Sequence, residues 1–556
     1  MRVGFVCVLF FTAATAFAQT TTHKHYEKPK EADKPAPTGE LAPRLQNLGA
    51  YTFQVSTKSK QAQLFINQGV NLIYGFNHAE AGRAFREAAR LDPDCAMAYW
   101  GQALVLGPNI NVPMNAEDEP QAYELAQKAV ALKAKASPKE QAYIDAVSKR
   151  YSGKAADRAA GDQAYAEAMG ALTRRFPDDL DAATMYAEAL MDLRPWNYWM
   201  RDGSPYPGTI DVISTLESVL ARNPDHPGAN HYYIHAVEAT KSPERAEAAA
   251  DRLLKLMPGA GHMVHMPSHI YQRVGRYADA QAANLAAIEA DEDYITQCRV
   301  QGLYPMAYYP HNVHFLWFAA TAEGRSQVAI DAARKVASTV SDEMLDTVPL
   351  LAGFRVVPWF ALTRFGKWDE MLAEPAPADR YLYLKGMWLY ARGRAHVAKG
   401  QLDEAEKDLV NLRGIAADPA LNYTLFSPNT AAAIIAIAPE VLAGELAAGR
   451  KEFDAAVAHL ERAIRLEDGL YYTEPAEWHY PPRQSLGAVL IAAGRPAEAE
   501  TVYWEDLRRN RENGWSLFGL GQAIRAQGQG DAATEIQKRF EKAWARADVK
   551  LAASRF

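Results

Sequence analysis

Apolar residues recur through most of this chain at intervals of three and four, with polar residues between them. An α-helix turns about 100° per residue, so this spacing gathers the apolar side chains on one helix face. Small residues, prolines and glycines stand at regular positions among these patterns. The pattern predicts an all-α chain made of many helices that pack through one face.

The helical pattern repeats every 34 residues. Counting from Ala62, Gly69 is eighth, Ala81 twentieth, Phe85 twenty-fourth and Pro93 thirty-second. Small residues allow two helices to touch, a large apolar residue fills the space between them, and a proline ends the second helix. Each repeat is therefore predicted to be a pair of antiparallel helices.

This spacing resembles the tetratricopeptide repeat (TPR), and at least ten copies are legible between residues 46 and 556. The resemblance implies a TPR superhelix, a solenoid with a concave groove, and a peptide or protein partner in that groove. It says little about chemistry. Insertions interrupt the repeats at residues 109–120, Pro195–Gly208 and Ile295–Tyr309, and long loops of this kind tend to carry function.

The N-terminus has the features of an export signal. Residues 1–18 contain Arg2, an apolar run and the Ala16-Phe17-Ala18 cleavage pattern, which predict a signal peptide. Residues 19–45 are rich in Lys, Glu, Pro and Thr and are predicted to be a disordered tether. We expect a periplasmic or secreted protein with no stable membrane span after signal cleavage, since the apolar run is shorter than the ~20 residues that a bilayer requires.

Charge and cysteine content narrow the choice of partner. The chain has 60 Lys+Arg against 67 Asp+Glu and no long basic run, so nucleic acid is a poor partner. Cys95 and Cys298 remain after signal cleavage. The sequence leaves open whether they are bridged or remain two free thiols.

Histidines occupy equivalent places in consecutive repeats. His231 and His235 are at places five and nine of the repeat that starts at residue 227. His265 and His269 are at the same places of the next repeat, and His314 is at place five of the repeat after that, once the insertion is removed. Other repeats carry no histidine at these places, so repeat architecture alone does not account for the pattern.

Further polar residues share the same helix stripe. His262 and His311 are at place two of their repeats, and Glu238 is at place twelve. Places two, five, nine and twelve lie opposite the packing face of the helix. In proteins that this chain resembles, this stripe lines the concave groove, so we expect a His-rich groove segment at residues 227–325.

A transition-metal site is the main functional hypothesis. Residues four apart on a helix lie about 5–6 Å apart at Cβ, and packed helices lie about 8–10 Å apart, so imidazoles from neighbouring repeats can share one ion or two. The predicted ligands are His231, His235, Glu238, His262, His265, His269, His311 and His314. Zinc, copper, iron and nickel all suit such ligands, and the sequence does not choose among them.

Three interpretations of this segment remain open. The first is a metal-binding protein. The second is a metalloenzyme in which open coordination positions take water or dioxygen and Glu238 is a ligand or general base. The third is a metal-free TPR scaffold in which the histidines contact a peptide or protein partner.

Several loops and one proline bear on the site. The aromatic loops Pro195–Gly208 and Tyr304–Tyr309 can cover the groove as a lid, and the segment Glu474–Arg483 can reach across the superhelix toward it. Pro267 stands between His265 and His269 and should kink or restart their helix.

Overall fold

The computed structural model describes residues 39–298, 307–426 and 428–556. The predicted signal peptide and the first part of the predicted tether, up to residue 38, lie outside these residues.

The described residues are mainly α-helical. In chain order the helices are α1 (Lys60–Tyr74), α2 (His78–Leu91), α3 (Ala96–Leu104), α4 (Glu119–Leu132), α5 (Pro138–Arg150), α6 (Arg158–Arg175), α7 (Leu180–Asp192), α8 (Thr209–Arg222), α9 (Pro227–Val237), α10 (Glu247–Leu256), α11 (Gly261–His265), α12 (Pro267–Val274), α13 (Tyr277–Cys298) and α14 (Tyr309–Ala322). They continue with α15 (Ser326–Ser338), α16 (Asp342–Thr347), α17 (Ala352–Arg355), α18 (Val357–Arg364), α19 (Trp368–Ala373), α20 (Leu382–Ala398), α21 (Leu402–Ala416), α22 (Ala431–Ile435), α23 (Ile437–Gly449), α24 (Phe453–Asp468), α25 (Pro482–Ala492), α26 (Pro496–Arg509), α27 (Gly514–Ala526) and α28 (Gly530–Ala543).

Other regular structure is sparse among the described residues. Short 3-10 helices lie at Ala116–Asp118, Lys133–Lys135, Ala155–Asp157, Pro243–Ala246, Pro349–Leu351 and Pro419–Leu421. One antiparallel ribbon pairs β1 (Thr424–Phe426) with β2 (Asn429–Thr430).

Most helices pack on the helices before and after them in the chain. Pairs such as α1–α2, α5–α6, α20–α21, α23–α24 and α27–α28 form the repeating unit, and each pair packs on the next through contacts such as α2–α3 and α24–α25. Within the first unit, the Phe85 ring lies directly against Gly69, where any side chain would collide with it. This confirms the predicted fold: the chain is a TPR-type helical-repeat solenoid.

The solenoid turns tightly enough for distant repeats to touch. Helix α1 packs against α9, eight helices later. In the second half, the Trp515 Nε1–H donates to the carbonyl of Thr321 at 2.9 Å, and the Tyr277 hydroxyl donates to the carbonyl of Arg511 at 2.9 Å. These contacts bring the C-terminal helices onto the middle repeats, so the inner face of the superhelix is packed where the histidines lie and is not an open groove.

The packed part of the chain begins before α1. The amide of Leu41 donates to Glu87, and the Gln68 side chain bonds both the amide of Leu45 and the carbonyl of Pro43, each at 3.0 Å. Ala42 is buried. Residues 39–45, predicted to belong to the tether, therefore lie along the first helix pair.

Two sequence features have simple positions in the fold. Cys95 is a buried free thiol, and burial raises its pKa to about 11; the side chain of Cys298 lies outside the described residues. In the described part of the chain, residues Ala431–Gly449 are long and apolar enough to cross a membrane, but most of this segment is buried among the other helices. Core helices pass the same test of length and composition.

Candidate metal centre

Six histidines form two sets whose ring nitrogens converge. The first set is His231, His235 and His262, and the second is His265, His269 and His311. Within each set, one ring nitrogen per residue lies within 4.8 Å of the other two. Of the eight predicted metal ligands, these six histidines and Glu238 lie close together. His314 belongs to neither set.

The two sets are built in the same way from successive repeats. Each combines the histidines at places five and nine of one repeat with the histidine at place two of the next. The first set thus comes from α9 and α11, and the second from α11, α12 and α14. The second set is therefore the first set moved along the solenoid by one repeat.

Local sequence explains how these helices begin and end. Pro227 opens α9, where a missing N–H costs nothing, and the Nδ1 of His226 accepts the amide of Ala229 as a cap at 3.2 Å. As predicted, Pro267 divides the next helix, so that α11 ends at His265 and α12 begins at Pro267. The break keeps the pair together, because the Nε2 atoms of His265 and His269 lie 2.8 Å apart.

In two rings of the first set, a hydrogen bond at Nδ1 fixes the ring orientation. His231 donates its Nδ1–H to the carbonyl of Tyr74 at 2.6 Å, and His235 donates its Nδ1–H to Glu238 Oε1 at 3.0 Å. Each Nε2 then carries a lone pair, and neither has a hydrogen-bond partner among the described residues. Metal-binding histidines are held in this manner, with one nitrogen fixed by an outer acceptor and the other turned toward the ion.

The second set repeats this arrangement. His265 Nδ1 bonds Asn284 Oδ1 at 2.7 Å, and His269 Nδ1 bonds Glu238 Oε2 at 2.5 Å. Asn284 itself is held by its amide bond to the carbonyl of Ala280 at 2.7 Å. Both Nε2 atoms point at the same place and hydrogen-bond each other at 2.8 Å, so they share a proton that a bound ion would replace.

Burial keeps most of these rings neutral. It lowers the pKa of His231, His262, His265 and His311 well below the usual value, and neighbouring histidines add to the effect. His235 is lowered mainly by burial, against the pull of Glu238. Neutral imidazole is the form that binds a metal ion.

Glu238 joins the two sets by accepting hydrogen bonds. One oxygen bonds His235 of the first set and the other bonds His269 of the second. Burial opposes its charge, but His269 and His235 outweigh that effect and hold the pKa of Glu238 at about 2. Glu238 thus lies beside both sets as a hydrogen-bond acceptor that orients one ring of each, and its role as a metal ligand or general base stays a prediction.

Glu474 is a site residue that the predicted ligand set lacks. Its Oε2 lies 2.6 Å from Nδ1 of His269, on the same side as Glu238. Burial raises the pKa of Glu474 to about 7 against the opposing effect of His269, while the two carboxylates together raise the pKa of His269 to about 10 despite its burial. Glu238, His269 and Glu474 form a third converging group. Its nitrogen atom, Nδ1 of His269, already makes a hydrogen bond to Glu238.

The sequence did contain a signal for Glu474. It is the first residue of the insertion Glu474–Arg483, which we predicted to reach across the superhelix. The contact with His269 confirms this reach. The remaining charged residues of that insertion lie elsewhere: Arg483 pairs with Asp468 at 2.7 Å, and the His479 ring stacks on Phe360 with centroids 3.8 Å apart.

Aromatic residues cover the six rings. Trp196, in the first aromatic loop, meets His235 edge-on with centroids 5.0 Å apart, and Tyr308 meets His262 at 4.8 Å. Phe76 and Phe315 pack against the two sets from the other sides. Both predicted lid loops therefore contribute a cover, although residues 304–306 lie outside the described residues.

The site is enclosed by this packing. Five of the six rings are between 0 and 3% exposed, and only His311 is partly exposed. We expected the histidines to face the concave groove and not the packed interior; instead α1, the aromatic loops and the Glu474 insertion fill the space in front of them and bury them.

His314 lies apart from the two sets. Its ring stacks parallel on Trp317, with centroids 5.1 Å apart, and meets Phe354 edge-on. Burial alone lowers its pKa to about 3. As expected for core residues, Met263 and Met266 are fully buried.

Comparisons with known proteins address the fold only. No protein-family model and no curated protein sequence matches the chain. Similar solved structures include the human IFIT1 dimer with m7Gppp-AAAA (12% identity, covering 88% of this chain and 91% of that chain, TM-score 0.32) and the APC/C hetero-tetramer Cut9-Hcn1 (13%, 86%, 76%, 0.31). The P58(IPK) TPR domain is also similar (12%, 84%, 98%, 0.23). At these scores, the likenesses carry no argument about the site.

Proposed function

We propose that this chain is an exported metal-binding protein in which each three-histidine set holds one transition-metal ion. The observation that carries the proposal is the orientation of the rings. In four of the six rings, Nδ1 is hydrogen-bonded to an acceptor outside the set; these rings are His231, His235, His265 and His269. Their Nε2 atoms turn inward, toward the other members of their set.

The burial of these rings supports the same function. Placing several imidazoles together without water leaves polar nitrogens unsatisfied, which costs about 1–3 kcal/mol for each orphaned group. The Nε2 atoms of His231 and His235 are such groups among the described residues. An ion that accepts their lone pairs removes this cost.

The donor set restricts the metal to a class. Three neutral nitrogen ligands with a fourth position open to water are typical of catalytic zinc, and imidazole also suits copper, iron and nickel. Hard ions such as Mg²⁺ and Ca²⁺ prefer oxygen ligands and are disfavoured.

Metal content tests the proposal directly. The untagged mature protein is exported from metal-supplemented cells and measured by inductively coupled plasma mass spectrometry, beside a His231→Ala/His265→Ala variant. We expect two ions per chain in the parent and loss of both in the variant, with helical content by circular dichroism retained.

A second double variant provides the control. His396 and His459 lie outside the site and are partly exposed, and His459 also bonds a glutamate, Glu440. The His396→Ala/His459→Ala protein should keep both ions. Parent protein that stays metal-free after titration would overturn the proposal and leave the scaffold that binds a peptide or protein partner.

A further inference from the structure

We propose that the two histidine sets form one dinuclear centre, in which a hydroxide ion bridges the two metal ions. This inference rests on the proposed function, and it adds that the ions share a ligand. The site would thereby hold an activated oxygen nucleophile inside the superhelix.

Ring positions show that the sets are not separate sites. Within the first set, the rings of His235 and His262 have centroids 6.3 Å apart. Across the sets, His235 and His269 are 5.7 Å apart, and His262 and His265 are 6.0 Å apart. These two pairs across the sets are thus closer together than the widest pair within the first set, although most pairs within a set are 4.8–4.9 Å apart.

Coordination geometry then limits the separation of the ions. A metal–nitrogen bond is about 2.0–2.1 Å long, so each ion lies close to its own three rings. Because the sets adjoin along two ring pairs, ions bound to them would be neighbours, and we infer a separation like that of two-metal sites, about 3.5–4 Å. Glu238 ties the sets further, since it fixes one ring of each.

Charge balance identifies the class of the missing ligand. Each histidine binds a metal ion as neutral imidazole, so two divalent ions would bring four positive charges into a buried space. Glu238 and Glu474 are the carboxylates in contact with these histidines, and they compensate half of that charge. An isolated buried charge is costly, so the open positions favour an anion.

Size and chemistry then favour hydroxide. Trp196, Phe76, Tyr308 and Phe315 pack against the rings, which favours a small anion over a large one. Water bound to a metal ion loses a proton far more readily than free water, and two ions strengthen this effect. A water shared by the two ions would release one proton to solvent, and the remaining hydroxide would supply the negative charge that the open positions favour.

Copper provides a spectroscopic test. The protein is loaded with Cu(II), its copper content is measured, and its electron paramagnetic resonance spectrum is integrated against a standard. A bridged pair couples magnetically, so two coppers per chain should give far less signal than two isolated spins. Azide should then bind at one anion per two coppers and produce a charge-transfer band.

Matched variants make the result specific. His231→Ala and His311→Ala each remove one ligand from one set, so each should retain one copper that shows the full signal of one isolated spin. His314→Ala, which changes a buried histidine outside both sets, should keep two coupled coppers. Circular dichroism verifies that each variant is folded.

The outcomes separate the two proposals. Absence of bound copper overturns the proposed function and this inference with it. Two coppers that give the summed signal of two isolated spins leave the proposed function intact and overturn the shared hydroxide. Two coppers with a coupled, weak signal that becomes isolated in the single-set variants support the dinuclear centre.

Discussion

Replacement of Glu238 by glutamine tests how the two sets are held. The carboxylate accepts one Nδ1–H from His235 at 3.0 Å and another from His269 at 2.5 Å. The carboxamide of Glu238→Gln has nearly the same shape, but only its oxygen can accept. One of the two histidines must therefore lose its acceptor and face an N–H group.

The expected loss follows from these two bonds. A hydrogen bond to a charged group contributes about 1.5–3 kcal/mol, and each 1.4 kcal/mol corresponds to about tenfold in affinity. Removing one of them should weaken metal binding about 10- to 100-fold, which is the usual range for outer residues that orient metal ligands. The histidine that keeps the oxygen exchanges a charged acceptor for a weaker neutral one, so affinity for both ions should fall, and it should fall more for the ion whose histidine faces the N–H group.

Competition with a chromophoric chelator measures both dissociation constants. Glu440→Gln is the matched control, since Glu440 Oε2 lies 2.6 Å from Nδ1 of His459 in a pair far from the six rings along the chain. That variant should bind metal as the parent does. Parent-like affinity in Glu238→Gln, or weakening confined to one ion, would refute the bridging role of Glu238.

Three further predictions concern the surroundings of the site. His314→Ala removes the buried ring that stacks on Trp317, so it should lower the free energy of unfolding by about 1–3 kcal/mol without loss of metal. Urea unfolding and metal analysis check this, and loss of an ion would contradict it. Trp196→Ala opens the cover over His235, so we expect chelator to remove metal faster at nearly unchanged melting temperature, and an unchanged removal rate would show that the loop is not a lid. Removal of metal should lower the melting temperature, because ligand at about 100 times its dissociation constant stabilises a fold by about 2.7 kcal/mol; scanning calorimetry with and without chelator measures this, and identical curves would contradict it.

The fold could be predicted from the sequence because a repeat places the same kinds of residue at fixed intervals. Gly69 and Phe85 stand at fixed places, and in the structure that ring packs on that glycine. The helix break at Pro267 also followed from local chemistry, since proline has no amide hydrogen to donate. The repeat spacing also predicted that His231, His235, His265 and His269 lie close together, because equivalent places in successive repeats lie side by side.

The enclosure of the site was beyond such reasoning. Repeat spacing defines which residues share a stripe, but the curvature of the superhelix depends on the packing of many helix pairs. Phe76 and Glu474 reach the histidines because the solenoid turns tightly, so that residues 155 and 205 positions away from His231 and His269, respectively, lie beside them. The hydrogen bonds of Glu238 could not be predicted for a related reason. A helical stripe indicates which way a carboxylate faces but not which nitrogen it bonds.

Repeat architecture explains why there are two sets and why His314 is left over. A complete set requires histidine at places five and nine of one repeat and at place two of the next. The third repeat has His314 at place five but Phe318 at place nine, and Gly353 stands at place two of the repeat counted from Ala352. Without these two ligands no third set can form, and the ring of His314 packs on Trp317 as an ordinary core side chain. The number of ions should therefore stop at two, since the centre ends where the ligand pattern ends and the solenoid continues beyond it.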